Sequence, residues 1–504
     1  MTFVYSWMPS YNNLTAMEKF DVIVIGGGFS GLTCGIIMAK EGKKVCVLEK
    51  ELQLGGAFQS YQRNRQQLET GFHYVGGVGE NEIMRPVVEY FGLDKLQWEP
   101  LDDEFLKVIT EGQSYSIRSG YDAFVDTLSR QFPDQRQGLV DLIELLNLLN
   151  RNIYKTVHYG GNASENKLLS VSAKEYLETH FSNPVLRKVL CGQSLTTELT
   201  DELPLYSFLQ TLNSFLQHSY RLKGGGKALI DHLANQLSDL GGIMLKSHAI
   251  KQFVVSDEDN DIKGVICTNG ESFEADTYIS TIHPALTIDL IPECKQVRNI
   301  YRRRIRNIEN SIGMFTAHLV LKPDAIPYMK HNISILNSDD LWHTSYGKDA
   351  SVQNMLINYN TNADESSFAT NIDLITPMSW EAVSEWADST LGHRPEEYKA
   401  FKQRKADECI SLADKYINGL CDSIERIWTS TPLTYRDYTG TINGSAYGVR
   451  KSCKNLLGTI LSPNTPFNNL FLSGQNLMLH GMQGVAMTAF LTCNSILKKN
   501  ILGI

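Results

Sequence analysis

"FDVIVIGGGFSGLTCGIIMAKEGKKVCVLEK", residues 20–50, decides the architecture. Residues 22–25 form a continuous β-branched run, the pattern of a strand buried on both faces. Gly26, Gly28 and Gly31 follow in G-x-G-x-x-G spacing. Next comes a helix with Leu32, Gly35, Ile36 and Ala39 on its inner face. Residues 45–48 make a second strand, closed by Glu49 with Lys50 beside it. Each part has a task when a dinucleotide binds. Gly26 permits the tight turn, Gly28 lets a pyrophosphate approach the backbone, and Gly31 lets helix and strand pack closely. The helix N-terminus offers free N–H groups and a positive dipole end to phosphates. Glu49 stands about 20 residues on, where an acid accepts hydrogen bonds from ribose hydroxyls. The glycine spacing alone is weak evidence. Set in strand, helix, strand and acid, it outweighs a glycine turn without a ligand.

Immediately downstream, "KELQLGGAFQS" places Gly55 and Gly56 just past the acid, and "LETGFHYVGG" follows. This arrangement resembles the two-dinucleotide-binding-domain flavoproteins, in which a long loop after the acid wraps a flavin. Further along, residues 227–240 have helical periodicity, and 243–245 and 250–255 read as strands. A "SDEDND" turn leads to a strand at 262–268, then an Asn269-Gly270 turn signal and another strand at 277–280. In the resembled fold this is the second half of the FAD domain, with the backbone of Ile250 beside the adenine. The last part is "LFLSGQNLMLHGMQGVAMTAF", residues 470–490. It reads as a strand, a glycine turn and a helix; in the resembled fold Gly474 and Gln475 would be the turn over the ribityl chain, and the helix starting near Met482 and Gln483 would aim its N-terminus at the flavin's pyrimidine end, which becomes negative on reduction.

The expected fold class is α/β: a discontinuous Rossmann-like FAD-binding domain of the glutathione-reductase type with a mixed α+β substrate domain. The FAD domain is expected at 18–132, 220–299 and 426–504, a helical cap at 133–219 and a substrate domain at 300–425. In the cap, "LVDLIELLNLLNRNI" at 139–153 fits an amphipathic helix, with core packing favoured over lipid contact. Strands are expected in "MFTAHLVLK", "NMLINYN" and "ATNIDLIT", and a helix at 395–418.

With 504 residues, 42% hydrophobic and 20% charged, the composition is ordinary for a globular protein of roughly three domains. A net charge of -9 gives no basic field for nucleic acid. The local run "YRRRIR" at 301–306 reads as a solvated helix face ahead of an anionic-lipid contact. Nine cysteines, an odd number without C-x-x-C spacing, fit neither a zinc ribbon nor a disulfide framework and suit a reducing compartment. The N-terminus lacks signal-peptide character, and no apolar run is long enough to span a bilayer. Met17 begins a tidier domain start, so the first sixteen residues read as an extension or an upstream start. A cytoplasmic location is expected, with peripheral attachment at the inner membrane face as a further option. Oligomeric state is not readable.

"ETGFHYVGG", "KGGGKAL", "TPLTYRDYTG…GSAYG" and "LSGQNLMLHGMQGVAMTAFLTC" together resemble the carotenoid desaturase, carotenoid isomerase and retinol saturase group of the amine-oxidase superfamily, over most of residues 20–496. The resemblance implies non-covalent FAD and hydride exchange between flavin N5 and a lipophilic polyene, by desaturation, saturation or isomerisation. No second G-x-G-x-x-G follows a strand, so a separate nicotinamide domain is not visible. A quinone, oxygen, another protein or a transient NAD(P) would exchange electrons with the flavin. By the same resemblance His73 passes near the isoalloxazine, as a proton donor or flavin-positioning group; a hydrogen-bonded structural histidine is the competing reading. His480, before the last helix, faces substrate or bonds the backbone. Tyr74 and Tyr447 are candidate aromatic walls, Tyr74 beside the cofactor. Neither His73 nor His480 has a metal-like partner at i+4, so no metal site is expected, and no hydrolase motif is present. Two alternatives stand beside the polyene oxidoreductase. One is an amine or porphyrinogen oxidase, whose amine version Ala57 disfavours, because Arg often follows the glycine pair there. The other is a non-catalytic prenyl-lipid escort, disfavoured by the intact Gly26, Gly28, Gly31 and Glu49.

Overall fold

A computed structural model describes residues 19–64, 66–159, 167–256, 258–361 and 366–503. The expected N-terminal extension, and with it the choice between Met1 and Met17, lies outside the described residues.

The β-branched run at the front becomes the strand Lys19–Ile25, paired in parallel with Val45–Leu48 on one side and Ser272–Ser280 on the other. Ile243–Leu245 extends the sheet beyond Val45–Leu48. Leu470–Leu472 joins its other flank, Tyr278 opposite Leu470. The strands Ile250–Val255 and Ile262–Cys267 form an antiparallel meander that runs into Ser272–Ser280. One sheet thus collects three segments far apart in the chain. Its helices Phe29–Lys40, Gly225–Asp239 and Gly481–Leu497 pack together on one face around Leu32, Ile36, Leu233 and Phe490. Gly31 makes the tightest of these approaches: a Cβ there would stand 1.8 Å from the Gly26 carbonyl oxygen. No other residue fits.

A second sheet follows the order Ile424–Ser430, Gly313–Leu321, Asn371–Met378, Asn354–Tyr359, Asn332–Leu336, Leu106–Thr110, Gln113–Ile117. It is antiparallel except where Asn332–Leu336 runs parallel to Leu106–Thr110. Its central strands are covered on both faces, so they read as apolar runs rather than alternating ones. Phe315, Ile357 and Leu374 meet the helix Glu396–Ala413 through Tyr398 and Phe401. Met314, Leu356 and Ile375 face the helices of the cap. There Leu139, Leu142, Leu146 and Leu149 of the helix Arg136–Tyr159 are buried, so that amphipathic face is core.

The expected segment boundaries are corrected here. Segment 18–132 is not wholly part of the cofactor domain, because the hairpin Leu106–Thr110/Gln113–Ile117 belongs to the second sheet and the helix Tyr121–Gln131 packs into the cap core. Ile424–Ser430, across the expected 425/426 boundary, pairs with Gly313–Leu321. Short strands of this kind carry no local mark of which sheet they will join; register with distant partners decides. No helix among the described residues is long and apolar enough to cross a membrane.

Candidate active site

At the C-terminal ends of the parallel strands, where doubly wound sheets bind ligands, lies a long cleft. Gly26, Gly28, Glu49, Lys50, Gly55 and Gly56 line it from the front of the chain, Ile250 and Thr281 from the middle, and Gly474, Gln475 and Gly481 from the end. The helix Phe29–Lys40 starts from Gly28 with no side-chain cap and no acid in its first turn. The helix Gly481–Leu497 likewise starts uncapped, from His480. Both helix starts border the cleft, and each leaves backbone N–H donors and a positive dipole end there. Glu49 is buried, its Oε2 accepting from the Gly27 N–H at 2.6 Å and its Oε1 from the Glu51 N–H at 2.8 Å. These bonds fix the carboxylate at the cleft wall with lone pairs to spare for ribose hydroxyls. Lys50 pairs with Glu51 at 3.0 Å and lines the same wall. The Ser445 hydroxyl is buried, lacks a partner among the described residues, and borders the cleft. A glycine cradle with room above Gly28, two uncapped helix starts, a ribose-height carboxylate and an orphan hydroxyl fit FAD.

A second cavity opens from one end of the cleft. The two share Ala57, Phe58, Thr441, Ser445, Gln475 and Gly481 as walls. The second is bounded by Val75, Met84, Phe215, Met314, Leu356 and Ile375, with a few polar groups among them. Its tyrosines turn their hydroxyls into the protein: Tyr74 donates to Gln193 Oε1 at 2.8 Å, Tyr435 to the Thr70 carbonyl at 3.2 Å and Tyr447 to the Leu195 carbonyl at 2.8 Å. Burial pushes these phenols up from their ordinary pKa, so they present aromatic faces and no charge.

His73 lines this cavity, and its Nδ1 lies 3.4 Å from Asp373 Oδ2, with no hydrogen bond of its own among the described residues. Asp373 is fully buried; its Oδ1 takes a 2.7 Å bond from His318 Nδ1 and its Oδ2 one from Asn360 Nδ2 at 3.0 Å. Burial alone would raise its pKa, but the imidazoles against it, His318 hydrogen-bonded and His73 beside it, outweigh that and hold the carboxyl well below the usual range. His318 and Asp373 are cross-strand partners, and Asn358 faces Asp373 on the other side.

The expected site residues fall into two groups. Gly26, Gly28, Glu49, Lys50, Gly55, Gly56, Ile250, Gly474 and Gln475 come together in the cleft, and Gly31 packs beneath its turn. Tyr74, Met482 and Gln483, expected at the cofactor, line the second cavity; the helix Gly481–Leu497 begins on the wall between the two and turns Met482 and Gln483 to the far side, and Tyr74 precedes the strand Val75–Gly76 with its phenol on Gln193. His73 and His480 both face the second cavity. They differ in kind. His480 Nε2 is 2.7 Å from the Thr196 carbonyl, its ring packs on Tyr447, and burial lowers its pKa to about 4. It is a neutral donor to the backbone, not an acid poised over substrate. Sequence reasoning missed Asp373 and His318. Each is the lone ionisable residue in an apolar run, "NIDLIT" and "MFTAHLVL". A charge inside a fully buried strand needs a partner, and that signal was present.

The family described as "Flavin containing amine oxidoreductase" matches residues 29–497. The chain is 24% identical to the all-trans-retinol 13,14-reductase of Macaca fascicularis, over 96% of this chain and 86% of that protein. It is 24% identical to the chloroplastic prolycopene isomerase 1 of an Oncidium hybrid cultivar, over 94% and 82%. Among solved structures it is similar to wild-type putrescine oxidase bound to putrescine, with a TM-score of 0.64 at 15% identity, covering 96% of this chain and 100% of that one. That likeness concerns the fold alone.

Proposed function

The chain belongs to the flavin-containing amine oxidoreductase family, and from that premise we propose that it is an FAD-dependent oxidoreductase acting on carbon–carbon bonds of a lipophilic polyene. The observation that carries the reading is the second cavity, with its apolar and aromatic walls meeting the cofactor cleft at Ala57, Ser445 and Gly481. A chain of conjugated carbons can lie there edge-on to the cofactor with little polar recognition, and placement is most of what such chemistry requires. The retinol reductase and prolycopene isomerase relatives support the same substrate class.

The cleft residues would hold FAD: Gly28 at the pyrophosphate, Glu49 at the ribose, Gln475 at the ribityl chain, and the start of Gly481–Leu497 at the pyrimidine. Bound there, FAD would supply hydride acceptance and donation. The protein's own groups exclude water with Met314, Leu356 and Ile375, and hold a proton at His73 over Asp373. Of the three directions we favour saturation of a double bond, because the imidazole of His73, backed by the buried Asp373 carboxylate, borders the mostly apolar cavity. Electrons then arrive from outside, with transient reduced nicotinamide as the proposed donor.

The test is anaerobic mixing of the chemically reduced holoenzyme with all-trans polyenes. Return of the oxidised flavin bands, together with loss of one conjugated double bond from the product, is expected. Bleaching of the oxidised enzyme by primary amines, with no response to any polyene, would overturn the reading.

A further inference from the structure

Two amides interrupt the apolar walls of the substrate cavity. Gln210 lies on the cap helix Leu205–Leu216, where every residue from Leu205 to Gln210 is buried, and is itself only 3% exposed. Gln483 stands in the first turn of Gly481–Leu497, beside the wall that the cavity shares with the cofactor cleft. Gln483 Nε2 donates to Gln210 Oε1 at 3.3 Å. That single bond leaves Gln210 Nε2 and Gln483 Oε1 buried, each without a partner among the described residues, in two side chains that line the cavity. Exchanging N and O in both amides leaves the same remainder, one donor and one acceptor. We infer that Gln210 and Gln483 form a binding site for a hydroxyl group of the substrate, so that the polyene this cavity takes is a neutral alcohol.

Three observations carry the inference. A buried donor and a buried acceptor left unpaired are each costly and rare, and apolar side chains would close this wall without that cost, as Val75, Met314 and Leu356 do elsewhere in the cavity. The neighbouring polar groups are already spoken for: Thr196 Oγ1 donates to the Gln193 carbonyl at 2.6 Å, Thr211 Oγ1 to the Ser207 carbonyl at 3.0 Å, and His480 Nε2 is committed to the Thr196 carbonyl. The remainder then selects the ligand by its chemistry. A hydroxyl donates and accepts, and so answers both amides at once. A carbonyl or ether oxygen accepts only and leaves Gln483 Oε1 unpaired. An ammonium group donates only and leaves Gln210 Nε2 unpaired. A carboxylate accepts only, and no lysine or arginine among the described residues lines the cavity to offset its charge. A hydrocarbon answers neither amide.

Gln483 follows the shared wall at Gly481 within the same helical turn, so the hydroxyl is held toward the end of the cavity that meets the cleft. Anchored there, it fixes which carbon–carbon bond of the chain faces the cofactor residues. The two glutamines are specificity residues: they touch the hydroxyl, and no bond is made or broken at them.

The inference rests on the polyene reading, and the test separates the two. Dissociation constants are measured on the oxidised holoenzyme, from the change in flavin absorbance, for a conjugated all-trans pentaene alcohol, its methyl ether and the hydrocarbon of the same chain. The alcohol is expected to bind roughly tenfold or more tightly than either of the others. In Gln210→Met/Gln483→Met, with flavin content unchanged, the three should come within about threefold of one another through loss of affinity for the alcohol. Thermal unfolding of the ligand-free variant separates recognition from a structural role: removing two unpaired groups should leave Tm at or above that of wild type. Equal binding of the three ligands by the wild-type protein, a preference that survives the double substitution, or a fall in Tm overturns the inference. Reduction of all three ligands alike removes the hydroxyl site and leaves the function. An alcohol preference set by the two amides, in a protein that reduces none of the three, keeps the site and removes the proposed reaction.

Discussion

The cofactor cleft and the substrate cavity share a wall but are built by opposite means. The cleft is made largely of backbone: glycines, helix starts and one carboxylate held by two N–H groups. The cavity is made of side chains, drawn from the cap helices, the central strands of the second sheet and the start of the last helix. Backbone sites tolerate almost no substitution at their glycines and leave a local signature. Side-chain sites can be recut by one substitution at a time. That contrast suits a fold in which one cofactor serves many substrates.

The sharpest break of the comparison is Gly31→Ala. Its Cβ would collide with the Gly26 carbonyl, and backbone cannot rotate away as a side chain can. A loss of roughly 3 kcal/mol or more in stability is expected, with no flavin retained, by thermal unfolding and the absorption spectrum. Wild-type flavin content in this variant would show that the cleft is not rigid backbone. On the cavity side, Asp373→Asn should keep flavin and fold yet slow turnover on the order of 100-fold, within the range for general acid–base groups. Steady-state kinetics with measured flavin occupancy reads this, and a variant that loses flavin as well would mean that the two regions are coupled. Glu49→Gln should weaken FAD binding by about tenfold, the worth of one charge-assisted bond; flavin fluorescence titration reads the change, and equal affinity would remove the ribose assignment.

The smallest effect concerns His480. Its folded pKa of about 4 lies below the ordinary 6.5. The unfolded chain therefore takes up a proton at higher pH than the folded one. Stability from this group is fully present above pH 6.5 and is lost as the pH falls toward 4, by up to about 3 kcal/mol. His480→Gln keeps an N–H for the Thr196 carbonyl and should flatten that part of the acid limb in denaturant unfolding. Parallel acid limbs would show that the imidazole is not held neutral.

The same division explains what was legible in the sequence. Gly26, Gly28, Gly31 and Glu49 announce themselves because strand, turn, helix and acid follow one another within a single unit. Gly474 and Gln475 were placed only through the resemblance, since three residues of strand about 445 positions from the first turn carry no signal that they join it. Asp373 and His318 meet by register between strands about 50 residues apart. Tyr61, from the hairpin Ser60–Arg63/Gln66–Glu69, sets its ring edge-on to His318. No spacing rule contains such a meeting, although the isolated charge within each apolar strand marks it as something to be explained. The misplaced boundary at 132 has the same origin: the hairpin Leu106–Thr110/Gln113–Ile117 joined a sheet whose other strands had yet to appear in the chain.

The strand Leu470–Leu472 and the helix Gly481–Leu497 have a consequence for biosynthesis. They leave the ribosome long after Gly26 and Gly28, yet they supply another wall of the same cleft. A nascent chain thus carries its phosphate-binding turn for most of its synthesis with one side of the cleft missing and the apolar face of Phe29–Lys40 uncovered. Tight capture of the flavin has to wait until that strand and helix have emerged, and until then this half-built layer exposes apolar surface of the kind that chaperones cover.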